Sequence, residues 1–353
     1  MSTNAGSSKV SSKAARVLDA SQHAFKPLEF FLVPEELNPF DDRVQIFGVS
    51  ARGSDGGSKS ITVRGMLQSA LEQGRLDGVT ELVEATSGNT GFALALMARQ
   101  PPYCIENVTL VVAPDIPAPK RTMLLLAGAR IIYPESGLTA IETARRLGNR
   151  WAERSGEWKP VEGRLNLDQY ANPANLSLHE GWTGPQILEK LGSFDIFAAA
   201  LGTGGTVIGL RNYFGARMRV TMVGVACAPG NEIPGARDVK RLAEVSLPWR
   251  SSIDILEEVG QKQAYAMACW LTQITGQPVG PSGGMALVGL LKAIERSHGN
   301  RARGDEKIKA VFFIPDGPER YADRFEANLP SQFFNGAPDL PLQWDSILGQ
   351  WNL

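Results

Sequence analysis

From residue 43 onward, short apolar runs of strand length alternate with longer segments of helical period. That alternation restricts the chain to an α/β fold. RVQIFGVS (43–50) reads as a strand. SITVRGMLQSALEQG (60–74) reads as a helix, with Val63, Met66, Leu67, Ala70 and Leu71 on one face and Gly74 as its stop. TELVEA (80–85), VTLVVAP (108–114) and RIIYP (130–134) are strand-like. GFALALMARQ (91–100) is helical up to Pro101–Pro102, and 120–129 and LTAIETARRLGNRWAERSG (138–156) are helical. The pattern recurs with strands at 195–201, 219–226 and 307–315 and helices at 206–215, 263–276 and 284–299. The spacing predicts two three-layer α/β halves with mainly parallel sheets and helices on both faces. Residues 25–165 are expected in the first half and 166–325 in the second. Residues 1–24 are expected as a flexible extension and 326–353 as a tail. Ligands of open parallel sheets sit outside the carboxyl ends of the strands, so the expected site is a cleft between the halves.

At 353 residues the chain is long for a single core, which agrees with two halves. A formal net charge of -1 argues against a nucleic-acid or membrane-surface role, and no apolar run is long enough to span a bilayer. Cys104, Cys227 and Cys269 lack the spacing of a disulfide framework or a zinc motif. His23, His179 and His298 form no visible cluster, so no metal is expected and each reads as a surface or cap residue. The sparse cysteines suit a reducing, cytoplasmic setting. The first segment is rich in Ser and Ala, with Lys9, Lys13 and Arg16 ahead of its first acid, Asp19; a disordered extension is expected, with a transit peptide as the alternative.

Four loops at or near strand ends carry the chemistry. GTGGT (202–206) follows a strand and opens a helix. Its glycines let the backbone approach an anion at the helix N-terminus, most naturally a phosphate; a plain tight turn is the alternative. It lacks a Walker lysine and is not the spaced glycine pattern of dinucleotide binders. In RGSDGGSKS (52–60), Lys59 stands at the mouth of a helix, where a cation is disfavoured. An uncharged lysine, as in a Schiff base, answers that misplacement; a solvated surface lysine is the alternative. TSGNTG (86–91) packs hydroxyls, an amide and flexible backbone at the end of a buried strand, and GPSGG (280–284) opens a late helix. One cofactor needs both a lysine and a phosphate cup: pyridoxal 5'-phosphate.

With EATSGNTG, LLLAGARIIY (124–133), QYANPAN (169–175), TGPQI (183–187), GTGGT, GPSGG and IPDGPERY (314–321) in register behind Lys59, the chain resembles the fold-type II pyridoxal-phosphate enzymes. Within them it is most similar to the cysteine synthase (O-acetylserine sulfhydrylase) and cystathionine β-synthase family. The resemblance implies a tryptophan synthase β-subunit-like fold, a mobile substrate-loop subdomain in the first half, and a homodimer. It implies that Lys59 carries the cofactor and takes the substrate α-proton. Asn89 matches a contact to the ring hydroxyl, Gly202, Thr203, Gly204, Gly205 and Thr206 the phosphate cup, and Ser282 the hydroxyl facing the pyridine nitrogen. Thr86, Ser87, Gly88, Asn89, Thr90 and Gln169 match the cradle of the substrate α-carboxylate.

The implied activity is β-replacement on an O-activated serine, O-acetylserine or O-phosphoserine, with sulfide or a related nucleophile, giving cysteine or an analogue. A cystathionine β-synthase-like or amine-nucleophile synthase, a serine/threonine dehydratase and a non-catalytic binding homologue are the other readings. The departures fall on substrate-side loops: KSITVR after the lysine, ARGSDGGS before it, Pro281, and ACAPGNEIPGAR after strand 219–226. Arg52 and Arg237 lie in two of these loops and are candidate contacts for an anionic leaving group or nucleophile.

Overall fold

The structure is a computed structural model and describes residues 26–53, 57–152, 157–302 and 307–334. Its elements run β1 (Glu29–Leu32), β2 (Val44–Ser50), α1 (Ser58–Glu72), β3 (Glu81–Ala85), α2 (Asn89–Ala98), β4 (Asn107–Val111), α3 (Ala118–Leu126), β5 (Arg130–Ile132) and α4 (Ala140–Gly148). There follow β6 (Asn149–Ala152), β7 (Glu157–Pro160), β8 (Arg164–Asn166), α5 (Ala174–Leu178), a π-turn (His179–Thr183), α6 (Gly184–Leu191), β9 (Ile196–Ala200), α7 (Gly205–Gly215) and β10 (Thr221–Cys227). The last are α8 (Val239–Leu242), β11 (Ile255–Val259), α9 (Gln261–Thr275), α10 (Pro281–Ala302), β12 (Ile308–Ile314) and α11 (Ala322–Asn328). The extension 1–24 with His23, and the tail from 335 with Trp344 and Trp351, lie outside the described residues.

The chain divides into two units, and they are not the contiguous halves expected. One holds Lys59–Asn175; the other holds Pro27–Ser58 together with the chain from Leu176 onward. The reason is β2, which pairs in parallel with β12 from Val44–Ile308 to Ser50–Ile314. Seven apolar-rich residues find their sheet partner far along the chain, which no local pattern announces.

The unit from Lys59 holds a four-stranded parallel sheet in the order β5-β4-β3-β8. Strand alternation puts Leu82 and Leu110 on one face, where they pack with Met66 and Leu67 of α1 and Ala93 and Leu94 of α2. Each fully buried Leu or Met side chain among them stabilises by roughly 1.5–3 kcal/mol. α4 also packs on this sheet, with Thr143 and Ala144 buried. Thr139 caps α4: its hydroxyl accepts from Glu142 N (3.2 Å) while its own N–H donates to the Glu142 carboxylate (2.8 Å).

The long helix expected over 138–156 ends at Gly148. Residues 149–152 and 157–160 instead pair antiparallel, with Trp151 opposite Trp158. Gly148 lies directly on the backbone of Asn166, where a side chain would collide, and Asn149 Nδ2 donates to Asn166 O (3.3 Å). These contacts turn the chain out of the helix.

The other unit holds a six-stranded sheet, β1-β2-β12-β9-β10-β11, parallel except for β1 against β2. Ala198, Val223 and Phe312 face α9 and α10. Phe197 points the opposite way and meets Phe194 and Phe214, whose rings lie 5.0 Å apart edge to face, so α7 covers the second face. Gly284 lets α10 approach the backbone of α9 at Ala264 and Ala268, where a side chain would collide. The beginning of the tail packs on the body: Phe333 stacks on Trp270 (5.5 Å) and its carbonyl accepts from Gln273 Nε2 (2.6 Å).

Candidate active site

In the first unit the loops after β3 and β8 meet. Thr86 is buried, and its hydroxyl accepts from Gly88 N (3.0 Å) and Gly91 N (3.1 Å), so it caps the start of α2. Gly88 takes φ 143 and ψ -79, a backbone conformation that a side chain would strain. Ser87 is exposed at the tip, Asn89 is half-buried, and Thr90 is buried one residue into the helix. Thr90 Oγ1 donates to Gln169 Oε1 (2.9 Å), and Gln169 Nε2 donates to Ala85 O (2.7 Å). The Gln169 amide is thereby fixed in orientation from both ends. Its carbonyl accepts from Asn175 Nδ2 (2.6 Å), and Asp168 beside it is left-handed (φ 56) and bound by Arg145 through two nitrogens (2.7 and 3.2 Å).

Under this turn lies Glu84, 1 % exposed. Burial pushes its carboxyl up to about 8 and the Asp168 carboxylate adds to the rise, while N–H groups of Gln169, Asp168 and Ala85 pull the other way. Sequence reading missed Glu84; the available signal was an acid in the interior of a short strand, between Val83 and Ala85. It also missed Lys120 of α3, whose side-chain carbons lie near the open face of Gly88. Lys59 is the second residue of α1 and half-buried.

In the second unit, the loops after β2, β12, β9 and β10 gather at the carboxyl edge of the sheet. Gly57 is left-handed (φ 65) against the Pro315 carbonyl, and Ser58 N donates to that same oxygen (2.8 Å), so β12 anchors the approach to α1. After β9, Gly202 is half-buried and Thr203, Gly204 and Gly205 are buried. Gly204 is left-handed (φ 83), and a side chain there would meet Trp249 Cβ at 2.9 Å. The buried backbone therefore opens α7 with N–H groups that a phosphate can use.

Thr206 pairs with His179 Nε2 (3.2 Å), and His179 Nδ1 with Thr183 Oγ1 (3.2 Å). His179 is fully buried, edge-on to Phe313 (6.2 Å), which corrects its reading as a surface or cap histidine. A histidine between two helical turns has no local sequence signal. The His298 side chain lies outside what is described.

Ser282 is buried one residue into α10, behind Pro281 at the position where a helix tolerates proline. Gly280 N donates to Asp316 O (2.9 Å), and Tyr321 OH to Asp316 Oδ2 (2.6 Å), which ties GPSGG to IPDGPERY. Arg237 is 11 % exposed and held by Glu244 (2.8 Å) and the Arg241 carbonyl (2.9 Å); its own N–H donates to Leu201 O (2.9 Å). It thus braces the chain just after β9, where the Gly202–Thr206 turn begins. Arg52 is exposed. Cys227 and Cys269 are buried, and burial pushes the Cys227 thiol up to about 11, which leaves it a poor nucleophile. Among the described residues no group of three His, Cys, Asp or Glu side chains could hold a metal ion, and no helix is long and apolar enough to cross a membrane.

Lys59 opens one helix, the Gly202–Thr206 turn opens another, and the Thr90–Gln169 pair joins two loops of the first unit. Residues 56–311 match the family model described as pyridoxal-phosphate dependent enzyme. The chain belongs to that family. It is 31% identical over 274 residues to cysteine synthase A of Escherichia coli (strain K12), covering 72% of this chain and 80% of that protein. It is 30% identical over 273 residues to cysteine synthase B of the same strain, covering 75% and 82%. Among solved structures, the cysteine synthase of Entamoeba histolytica aligns with TM-score 0.73 at 20% identity, over 99% of each chain. The O-acetylserine dependent cystathionine beta-synthase of Helicobacter pylori aligns with TM-score 0.71 at 23% identity, over 86% of this chain and 96% of that one. Both likenesses place the fold in the fold-type II group.

Membership implies pyridoxal 5'-phosphate as the cofactor, and the residues present fit it. The Gly204 cup leaves no room for a side chain and presents main-chain donors. Ser282 supplies a buried neutral hydroxyl at a helix start, and Lys59 an amine at another.

Proposed function

We propose that the chain catalyses pyridoxal-phosphate-dependent β-replacement on an O-activated serine, with sulfide or a related nucleophile, giving cysteine or an analogue. The observation that carries this reading is the Gln169 amide, locked between Thr90 and the Ala85 carbonyl beside the N-terminus of α2. A fixed amide N–H next to the main-chain donors and hydroxyls of Thr86–Thr90 suits the α-carboxylate of an amino acid. The cysteine synthase names of the bacterial relatives support the reaction class. The name of the Helicobacter pylori enzyme supports O-acetylserine as a substrate to try first.

Each residue then has a task. Lys59 Nζ holds the cofactor and moves the α-proton. Gly202–Thr206 take its phosphate, with His179 fixing the Thr206 hydroxyl. Asn89 serves the ring oxygen and Ser282 the ring nitrogen. A neutral hydroxyl does not hold a proton on that nitrogen as an aspartate would, which favours elimination over transamination. Bound, the cofactor supplies the electron sink that lets the α-proton and then the β-substituent leave. Closure of the Thr86–Gly91 loop on the carboxylate excludes water from the reaction.

Arg52, exposed on the loop after β2, is the better placed of the two arginines for a charged leaving group, because Arg237 is engaged with Glu244. A homodimer and a cytoplasmic setting belong to the same reading, and light scattering tests the first. The functional test is a panel of O-acetylserine, O-phosphoserine and serine against sulfide, thiosulfate, homocysteine and small amines. Cysteine formation from an O-activated serine supports the reading; turnover only by deamination moves the chain to the dehydratases.

A further inference from the structure

Glu84 is a carboxyl the reaction does not use, sealed beneath the turn that the reaction needs. It sits in β3 one residue before Ala85, whose carbonyl orients the Gln169 amide, and its Oε1 accepts from Gln169 N (3.4 Å). Its Oε2 is buried with no hydrogen-bond partner. An ionised carboxylate with an oxygen left bare in the interior is costly, whereas a protonated one needs less.

The surroundings push the same way. The charge facing Glu84 is Asp168, of its own sign, and Arg145 of α4 is already spent on Asp168. Of the elements packed with β3, α2 (NTGFALALMA) and β4 (NVTLV) carry no titratable side chain; β8 carries Arg164, which is paired with Glu81 (2.7 Å), and α4 carries, besides Arg145, Glu142 at its capped start and Arg146, which is paired with Glu135 (3.0 Å). α1 carries Lys59, Arg64 and Glu72, and none of them contributes to the rise of the Glu84 carboxyl. The turn above carries the proposed receptor for a second anion, the amino-acid carboxylate.

We propose that Glu84 is a positioning carboxyl of that cradle: uncharged, it supports the Asp168–Gln169 turn that presents the Gln169 amide; charged, it opposes binding of the substrate α-carboxylate. The proposal rests on the β-replacement reading of the site. The coupling is reciprocal, so a bound carboxylate holds the proton on Glu84 more tightly. Since burial places its titration near 8, the effect falls within an accessible pH range.

The experiment uses the full chain with its cofactor and follows the bound cofactor's absorbance as L-alanine or L-alaninamide is added, from pH 6.5 to 9. L-alanine carries the carboxylate and no β-leaving group; L-alaninamide lacks the carboxylate. The ratio of wild-type to Glu84→Gln dissociation constants cancels the ionisation of the ligand amine. For L-alanine that ratio is expected to rise about fivefold between pH 6.5 and 9 for one unit of coupling between the two ionisations, since a titration near 8 is only partly expressed by pH 9. For L-alaninamide it stays level. Asp168→Asn removes the like charge and moves the break in the wild-type profile to lower pH, which keeps the test alive if Glu84→Gln folds poorly.

Parallel profiles for the two proteins, or an equal response to L-alanine and L-alaninamide, overturn the proposal. A wild-type chain that binds the cofactor yet responds to neither ligand at any pH refutes the β-replacement reading itself, and the coupling with it. The two failures are thus told apart.

Discussion

Thr90→Val exchanges a hydroxyl for a methyl of nearly the same shape, and Thr90 Oγ1 is the donor to Gln169 Oε1 at 2.9 Å. Both residues are buried, 5% and 3% exposed, so water does not replace the lost donor. Rotation of the amide does not rescue it, because the flipped group would set its oxygen against the Ala85 carbonyl, where Nε2 now donates at 2.7 Å. The Gln169 carbonyl oxygen is left unsatisfied, at a cost of about 1–3 kcal/mol. If the fixed amide also grips substrate, kcat/KM for O-acetyl-L-serine falls by roughly 5- to 150-fold. Urea unfolding followed by tryptophan fluorescence reads the stability, and initial rates with sulfide read the activity. Thr90→Ser restores the donor and should recover most of both. A Thr90→Val protein with unchanged stability and unchanged kcat/KM would show that the Thr90–Gln169 bond orients nothing.

Glu84 makes stability fall as pH rises: its folded value near 8 exceeds its ordinary value of 4.5, so the unfolded chain loses the proton first. Between pH 5.5 and 8 the wild type should therefore lose about 3 kcal/mol relative to Glu84→Gln, at about 1.4 kcal/mol per unit; parallel urea midpoints across that range refute the burial argument. Gly204→Ala forces a side chain into a left-handed position against Trp249. It should weaken cofactor binding by about 1–3 kcal/mol, a 5- to 150-fold rise in the dissociation constant by equilibrium titration with pyridoxal phosphate.

The site loops were legible because polar, glycine-rich clusters at strand ends break an otherwise apolar rhythm. TSGNTG and GTGGT each stand where a buried strand gives way to a helix, and only a ligand or a tight turn explains them. The parallel α/β class was legible for the same reason, since strands and helices differ in period. What stayed hidden depends on distant partners. β2 looks like any buried strand, and its pairing with β12 appears only when residues 44 and 308 are brought side by side. Residues 138–156 carry mostly good helix formers, yet Gly148 meets the Asn166 backbone and the chain turns into a hairpin. His179 and Glu84 owe their roles to burial, which follows from packing against Thr206 and beneath Gln169.

The assignment of Lys59 as the residue that holds the cofactor and moves the α-proton is the central claim. The most direct measurement compares wild type and Lys59→Ala, each loaded with pyridoxal phosphate, for cysteine formation from O-acetyl-L-serine and sulfide, with the visible absorbance of the purified proteins recorded alongside. The expected result is a yellow, active wild type and a variant that has lost the lysine-bound absorbance and at least about a thousandfold in kcat, the scale of loss when a group acting in the chemical step is removed. A Lys59→Ala protein that keeps both the absorbance and the activity of the wild type would contradict the assignment outright.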